Sequence, residues 1–131
     1  MKKVYYILVL TILAMLSSCR NENESSDSAN TNKINPPTWI KGKWKSDYDQ
    51  YYNFTNNDII IQFGGITSNI KPIADLGGYS QTSTDSEFTY TLHQLNITYT
   101  YKFKKINSTK ILFDDGLGGN DYEMWSEWIK Q

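Results

Sequence analysis

Alternation is the feature that most narrows what this chain can fold into. From Ile97 to Lys104, the large residues Ile97, Tyr99, Tyr101 and Phe103 take turns with Thr98, Thr100, Lys102 and Lys104. Successive side chains of a strand point to opposite faces, so a period of two puts all four large residues on one face of a half-buried strand. The segment before it repeats the pattern, with Phe88, Tyr90 and Leu92 on one side and Thr89, Thr91 and His93 on the other. Gln94-Leu95-Asn96 between the two has the length of a tight hairpin connection. No window keeps a 3.6-residue period over three turns, which argues against a helical bundle.

Other segments extend the reading. Ile59, Ile61 and Phe63 form a further strand, reached from Tyr51–Phe54 through the turn Thr55-Asn56-Asn57-Asp58. Lys110–Phe113 and Tyr122–Trp125 flank Asp114–Asp121, a Gly/Asp/Asn loop of the kind that ends hairpins. Pro72 restricts Ile66–Leu76 to a loop or a short helix around Ile73–Leu76. The pairs Gly64-Gly65, Gly77-Gly78 and Gly118-Gly119 read as turns, not as repeat units. About seven or eight short strands result, with turns every 8–12 residues or so, the pattern of an all-β sandwich or barrel. Closing an antiparallel meander into a barrel also removes exposed edge strands. The folded domain is expected over residues 36–131, enough for one small core that buries roughly 60–65% of its unfolded surface.

Charge and residue inventory exclude several function classes. His93 is the single histidine, so neither a catalytic triad nor a two-histidine metal site can be assembled; by alternation it falls on the solvated Thr/Lys side. Asp47 and Asp49, two apart, would face one side of a strand as a carboxylate pair, with nothing else there to mark a catalytic site. Asp114, Asp115, Asn120 and Asp121 surround flexible glycines and could ligate calcium, but the spacing of an EF-hand loop and its terminal glutamate are missing, and the same residues make ordinary turns. No enzyme activity, metal or cofactor is expected. Lys41-Lys43-Lys45 and Lys102-Lys104-Lys105 sit at strand-like spacing and read as solvated faces, not as a block for nucleic acid.

Aromatic residues are abundant for one small core. Tyr48, Tyr51, Tyr52, Tyr79, Tyr90, Tyr99, Tyr101, Trp125 and Trp128 could stack on a ligand, supply a protein-contact surface, or simply reflect sheet composition. Trp128, so close to the last strand, is expected to pack back onto the domain. With Ile97, Tyr99, Tyr101 and Phe103 inside, joined by Phe88, Tyr90 and Leu92, no cavity above about 300 Å³ is expected. A ligand would then sit at an open rim formed by Tyr48, Tyr51 and Tyr52 with the Ile66–Leu76 loop.

The first residues carry a separate signal. Lys2 and Lys3 precede an apolar run of 13 residues, Val4 to Leu16, which ends in Leu16-Ser17-Ser18-Cys19. A membrane span needs roughly 20 residues, so this run is too short, whereas it suits a cleaved signal segment. Leu-Ser-Ser-Cys resembles the lipobox of bacterial lipoproteins, in which the cysteine is acylated and becomes the new N-terminus. The resemblance implies a signal peptide at 1–18, lipid attachment at Cys19, and a cell-envelope location on the outer membrane or its surface. As Cys19 is the single cysteine, an intrachain disulfide is excluded. Loss of Lys2 and Lys3 leaves 11 basic against 14 acidic residues, a weak acidic excess that does not suit nucleic acid. Residues 19–35 are almost devoid of large apolar side chains and read as a disordered tether. Glu22, Glu24 and Asp27 behind the cysteine resemble a surface-export signal of some lipoproteins, and serve equally as plain linker.

Gly42-Lys43-Trp44, within the longer Trp39-Ile40-Lys41-Gly42-Lys43-Trp44, places Gly-x-Trp at the start of the first strand, shortly before a meander. With the late Tyr-x-Phe strand this resembles small lipocalin-like lipoproteins of some Gram-negative bacteria. The resemblance implies that Trp44 packs across the closed end of a barrel and that Gly42 lets the chain approach closely. It further implies a non-enzymatic, monomeric domain that binds a small apolar ligand or an envelope protein. An inhibitor or immunity-type lipoprotein and a structural envelope protein without a ligand are the alternatives. The chain has no arginine after Arg20 and is short for a lipocalin, so a calyx is not carried over residue by residue.

Overall fold

The computed structural model describes residues 33–117 and 124–131. The expected signal peptide, Cys19, most of the expected tether and residues 118–123 of the last expected hairpin lie outside the described residues. Nine antiparallel strands form one curled sheet: β1 (Gly42–Lys45), β2 (Tyr51–Phe54), β3 (Ile59–Phe63), β4 (Ile66–Asn69), β5 (Tyr79–Ser83), β6 (Glu87–Gln94), β7 (Ile97–Lys105), β8 (Lys110–Asp114) and β9 (Ser126–Lys130). Their order is β4-β3-β2-β1-β9-β8-β7-β6-β5. Consecutive strands therefore pair everywhere except between β4 and β5, and the first strand pairs with the last through Trp44↔Lys130 and Lys45↔Ile129. A meander with its ends joined and one break in its circumference is a half-barrel.

The break is spanned by a short helix, α1 (Lys71–Asp75), which carries the chain from β4 to β5 and buries Ala74, with Ile70 buried just before it. Pro72 sits in its first turn, where a missing N–H is not needed. The helix has no side-chain cap of its own, and a distant carboxylate does that work. Oδ1 of the buried Asp58 accepts the Lys71 N–H at 2.9 Å and the Ile59 N–H at 2.8 Å, while Oδ2 accepts from Asn69 Nδ2 at 2.9 Å.

The all-β expectation holds, with three local corrections. Ile66–Asn69 is a strand, not a loop; all four of its residues are exposed, so no alternation marks it in the sequence. Tyr79–Ser83 is a further strand, which brings the number above seven or eight. Of the expected strand Tyr122–Trp125, Tyr122 and Glu123 lie outside the described residues and Met124 and Trp125 are not in a strand; the last described strand is Ser126–Lys130, which buries Trp128 opposite Ile111 of β8. Leu95 and Asn96 both have positive φ (46° and 68°) and make the two-residue hairpin turn between β6 and β7.

Inward positions of eight strands and α1 meet in one aromatic-rich core. Trp44, Phe88, Tyr90, Ile59 and Ile111 are fully buried, and Trp128 is 1% exposed. The Trp44 indole N–H donates to the Ile40 carbonyl at 2.6 Å, so its burial leaves no polar group unpaired. The role of Gly42 is conformational: its φ of +114° strains any L side chain, and a Cβ there would lie 3.1 Å from Lys130 Cε. Packing also reaches behind Pro36. Ile34 is buried, and the Gln81 side chain clasps Asn35 by accepting its N–H and donating to its carbonyl, both at 2.9 Å.

Replacing Trp44 by Ala empties one of the largest core positions and is expected to cost about 3–5 kcal/mol, much of a small domain's stability. Urea unfolding should show the midpoint falling accordingly, and an unchanged midpoint would contradict the assigned core position.

Candidate functional site: an aromatic cleft at the open end

Strand lengths create the site. β7 runs over nine residues, but β8 pairs with Lys102–Lys105 alone, so the first half of β7 extends beyond its neighbour. Its inward side chains keep the direction that alternation demands but lose their cover. Exposure rises outward from Phe103 at 1% to Tyr99 at 38% and Ile97 at 53%. The expectation that all four fill the interior is thus corrected: Phe103 fills it, Tyr101 borders it, and Tyr99 and Ile97 reach the open end.

Across from them stand Ile61 and Phe63 of β3, and the floor is Tyr52, Phe113 and Trp128. Together with Gln50, Asp115 and Leu117 these residues enclose a cleft of about 310 Å³. Through Gln50, Phe113, Asp115, Leu117 and Trp128 it continues into a second space of about 570 Å³, bordered further by Ser46, Asp47, Tyr48, Met124, Ser126 and Glu127. Both open to solvent. They lie at the open end, where the shortness of β8 leaves one wall uncovered, and not in the interior to which the expected bound of about 300 Å³ applies.

The expected rim is split by strand geometry. Tyr48, in the β1–β2 turn, and Tyr52, at the floor, border the clefts. Tyr51 points the other way, onto the convex face, where the Lys43 and Lys45 ammonium groups lie 4.2 and 5.4 Å from its ring centroid. Among the described lining residues none comes from Ile66–Leu76, which instead closes the gap beside β5. Gln50, Phe113, Asp115 and Glu127 escape a reading by alternation. The usable signal for the cleft is the contrast between the long alternation of Ile97–Lys104 and the short run Lys110–Phe113.

Asp47 and Asp49 do not share a strand face. Ser46 to Gln50 is a turn in which the Ser46 hydroxyl accepts the N–H groups of Tyr48 and Gln50, at 3.2 and 3.3 Å. Asp49, at φ 58°, pairs with Lys45 at 2.7 Å, while Asp47 borders the larger cleft. In the β8–β9 loop, Oδ1 of Asp114 accepts the Gly116 N–H at 3.1 Å, and Oδ1 of Asp115 accepts the Leu117 N–H at 3.0 Å. Gly116 (φ +71°) lets this loop lie against β7, since a Cβ would stand 2.5 Å from the Thr100 carbonyl oxygen. The rest of the candidate calcium loop, Gly118 to Asp121, lies outside the described residues. Among the described residues no group of three or more His, Cys, Asp and Glu is placed to hold a metal. His93 is exposed on the outer face, its Nδ1 3.2 Å from Thr98 Oγ1.

Under the cleft lie buried phenols. The Tyr52 and Tyr90 hydroxyls are 3.2 Å apart, and Tyr79 donates to Gln81 Oε1 at 2.7 Å. Burial pushes the Tyr52, Tyr79 and Tyr90 phenols well above their ordinary value, because a phenolate there would lose its hydration. Tyr101 is raised by burial first, then by Tyr99 and the Asp115 charge.

Comparison of the chain with protein-family models, curated proteins and solved structures finds no match.

Phenols raised in the folded state bind protons more tightly there than in the unfolded chain. Their contribution is intact below the unfolded value of about 10 and is lost as pH climbs from there toward the folded values. Unfolding monitored by circular dichroism should therefore set in above about pH 10, with the tyrosinate absorbance of the buried phenols appearing only in the same transition. Ionisation of every tyrosine while the fold stays intact would contradict the burial of Tyr52, Tyr79 and Tyr90.

Proposed function

We propose that this chain is a lipid-anchored envelope protein whose half-barrel binds a small apolar or amphipathic ligand at its open end. The supporting observation is the overhang of β7, which presents Tyr99 and Tyr101 across from Ile61 and Phe63 over a floor of Tyr52, Phe113 and Trp128. Leaving aromatic area partly in water forgoes the gain of burying it, about 25 cal/mol per Å². Folding is not served by that arrangement, and a ligand that covers the rings would be. A lipocalin-like relationship is supported by Gly42-Lys43-Trp44 opening a meander whose first and last strands pair, with Trp44 fully buried. The chemistry proposed is binding without turnover.

A partner protein at the same end is the second reading. It draws on Tyr48 (81% exposed), Leu95 (96%) and Leu117 (78%), apolar side chains that stand in the loops of that end. Exposed apolar clusters of this kind mark contact surfaces.

Anchoring rests on Leu16-Ser17-Ser18-Cys19. Several acyl chains on Cys19 would hold the domain firmly, where one would bind a membrane marginally. Cys19→Ser is expected to abolish metabolic labelling with fatty acid and to release the protein from the membrane fraction. Labelling that persists in this variant would exclude Cys19 as the attachment point.

The cleft is tested with N-phenyl-1-naphthylamine, a neutral apolar dye whose emission rises in dry surroundings. Saturable one-site binding is expected with the mature chain, residues 19–131 carrying Cys19→Ser, which contains every contact described above. Tyr99→Ser removes a partly exposed wall and should weaken it about tenfold, or roughly 1.4 kcal/mol, with the unfolding midpoint little changed. Absence of saturable binding, or an unaffected Tyr99→Ser variant, would refute the cleft as the site.

A further inference from the structure

We infer that the ligand of this cleft is an organic cation with an apolar body, such as a quaternary ammonium on an alkyl or aryl group. The inference rests on the proposal that the cleft binds a ligand, and adds its charge.

The lining has a one-sided charge. Three carboxylates border the two connected spaces, those of Asp47, Asp115 and Glu127. Among the described lining residues there is no Lys, Arg or His. This is not because the chain is poor in cations, since lysines are nearly as numerous as acidic residues. Strand geometry sends them elsewhere. Lys43 and Lys45 occupy the convex face against Tyr51, and Lys110 binds Glu127 from outside at 2.8 Å. Glu127 is thereby partly neutralised, which leaves Asp47 and Asp115 as the main charges facing the space. Asp115 lines both parts of the cleft, and one of its oxygens is used by the Leu117 N–H.

Aromatic walls select further. Faces of Tyr, Trp and Phe rings carry negative quadrupole density and attract a cation most when it is weakly hydrated, as a quaternary ammonium is. The chain already uses this attraction on its surface, where lysine ammonium groups stand 4.2 Å from the ring centroids of Tyr51 and Trp125. A carboxylate or sulfate ligand would meet the opposite situation. It would find two like charges, aromatic rings, and no lysine or arginine among the described lining residues to receive it. The smaller space, about 310 Å³, fits a compact head or an aryl group, and the larger takes the rest of the molecule.

The experiment compares decyltrimethylammonium with decyl sulfate below their micellar concentrations, on the mature Cys19→Ser chain. Each is titrated directly, through the tryptophan emission to which Trp128 at the floor contributes, and by displacement of N-phenyl-1-naphthylamine. The ammonium is expected to bind at least tenfold more tightly than the sulfate, and the ratio should shrink in high salt, as a charge effect must. Asp115→Asn keeps the oxygen that accepts from Leu117 and removes the charge; with Asp47→Asn, it should erase most of the preference for the ammonium over the sulfate. Equal binding of the two amphiphiles with normal dye binding overturns the inference alone. So does a preference that survives both Asn substitutions. Failure of dye and ammonium together overturns the cleft proposal and, with it, this one.

Discussion

Tyr52 is the contact on which the two halves of the sheet depend. Its ring packs edge-on against Phe103 and Trp128 at centroid distances of 5.4 and 5.3 Å, tilts against Phe113 at 5.2 Å and stacks on Phe54 at 5.6 Å. Its hydroxyl meets that of Tyr90 across the interior. Tyr52 belongs to the β1–β4 half, whereas Phe103, Phe113, Trp128 and Tyr90 belong to the β5–β9 half. Between the halves, the backbone ladder of β1 and β9 has two residue pairs, against eight between β6 and β7. Side-chain packing, not the ladder, therefore holds the curl. Geometry of this kind, with rings 4.5–7 Å apart, contributes about 0.5–1.5 kcal/mol per pair beyond the area buried.

The same curl decides where the molecule is closed and where it is open. A domain this small has too few side chains to fill a wide barrel along its full height. The core occupies the level of Trp44, Phe54, Phe88 and Ile111, and the break between β4 and β5 is stopped by Ile70, Ala74 and the N-terminal segment at Ile34. Above that level the strands outrun the core. Asp58 and Gln81 are the polar counterparts of this arrangement, both buried and both bonded, one to the start of α1 and the other to Asn35. The clasp on Asn35 also fixes where a tether would join the domain, beside β5 and away from the cleft residues.

Sorting of charge follows from the pleat. Lysines alternate with inward residues on β1 and β7, so they are confined to the convex face and the ends. The carboxylates of Asp47 and Asp115 come from turns, which are free of that alternation and can face the open end. An acidic, aromatic mouth on a basic, striped shell is thus a result of where turns and strands lie.

Much of this was legible in the residues themselves. Ile97–Lys104 and Glu87–His93 announce their strands because one face is apolar and the other is not, and Gly42-Lys43-Trp44 points to a buried tryptophan. Ile66–Asn69 was not legible, since a fully exposed edge strand has no burial to imprint a period. Nor was the position of the final strand, because Trp128 is claimed by Ile111 of β8, a partner set by pairing and not by sequence distance. The candidate site was legible in part: Tyr48 and Tyr52 border it, Tyr51 does not, and Asp115 was marked only as part of a Gly/Asp/Asn loop, with no alternation to aim it at the cleft. Period alone determined which residues share a face. Only the tertiary structure decided which of them are covered, because cover depends on how far the neighbouring strand extends, and that is settled by pairing between segments distant in the chain.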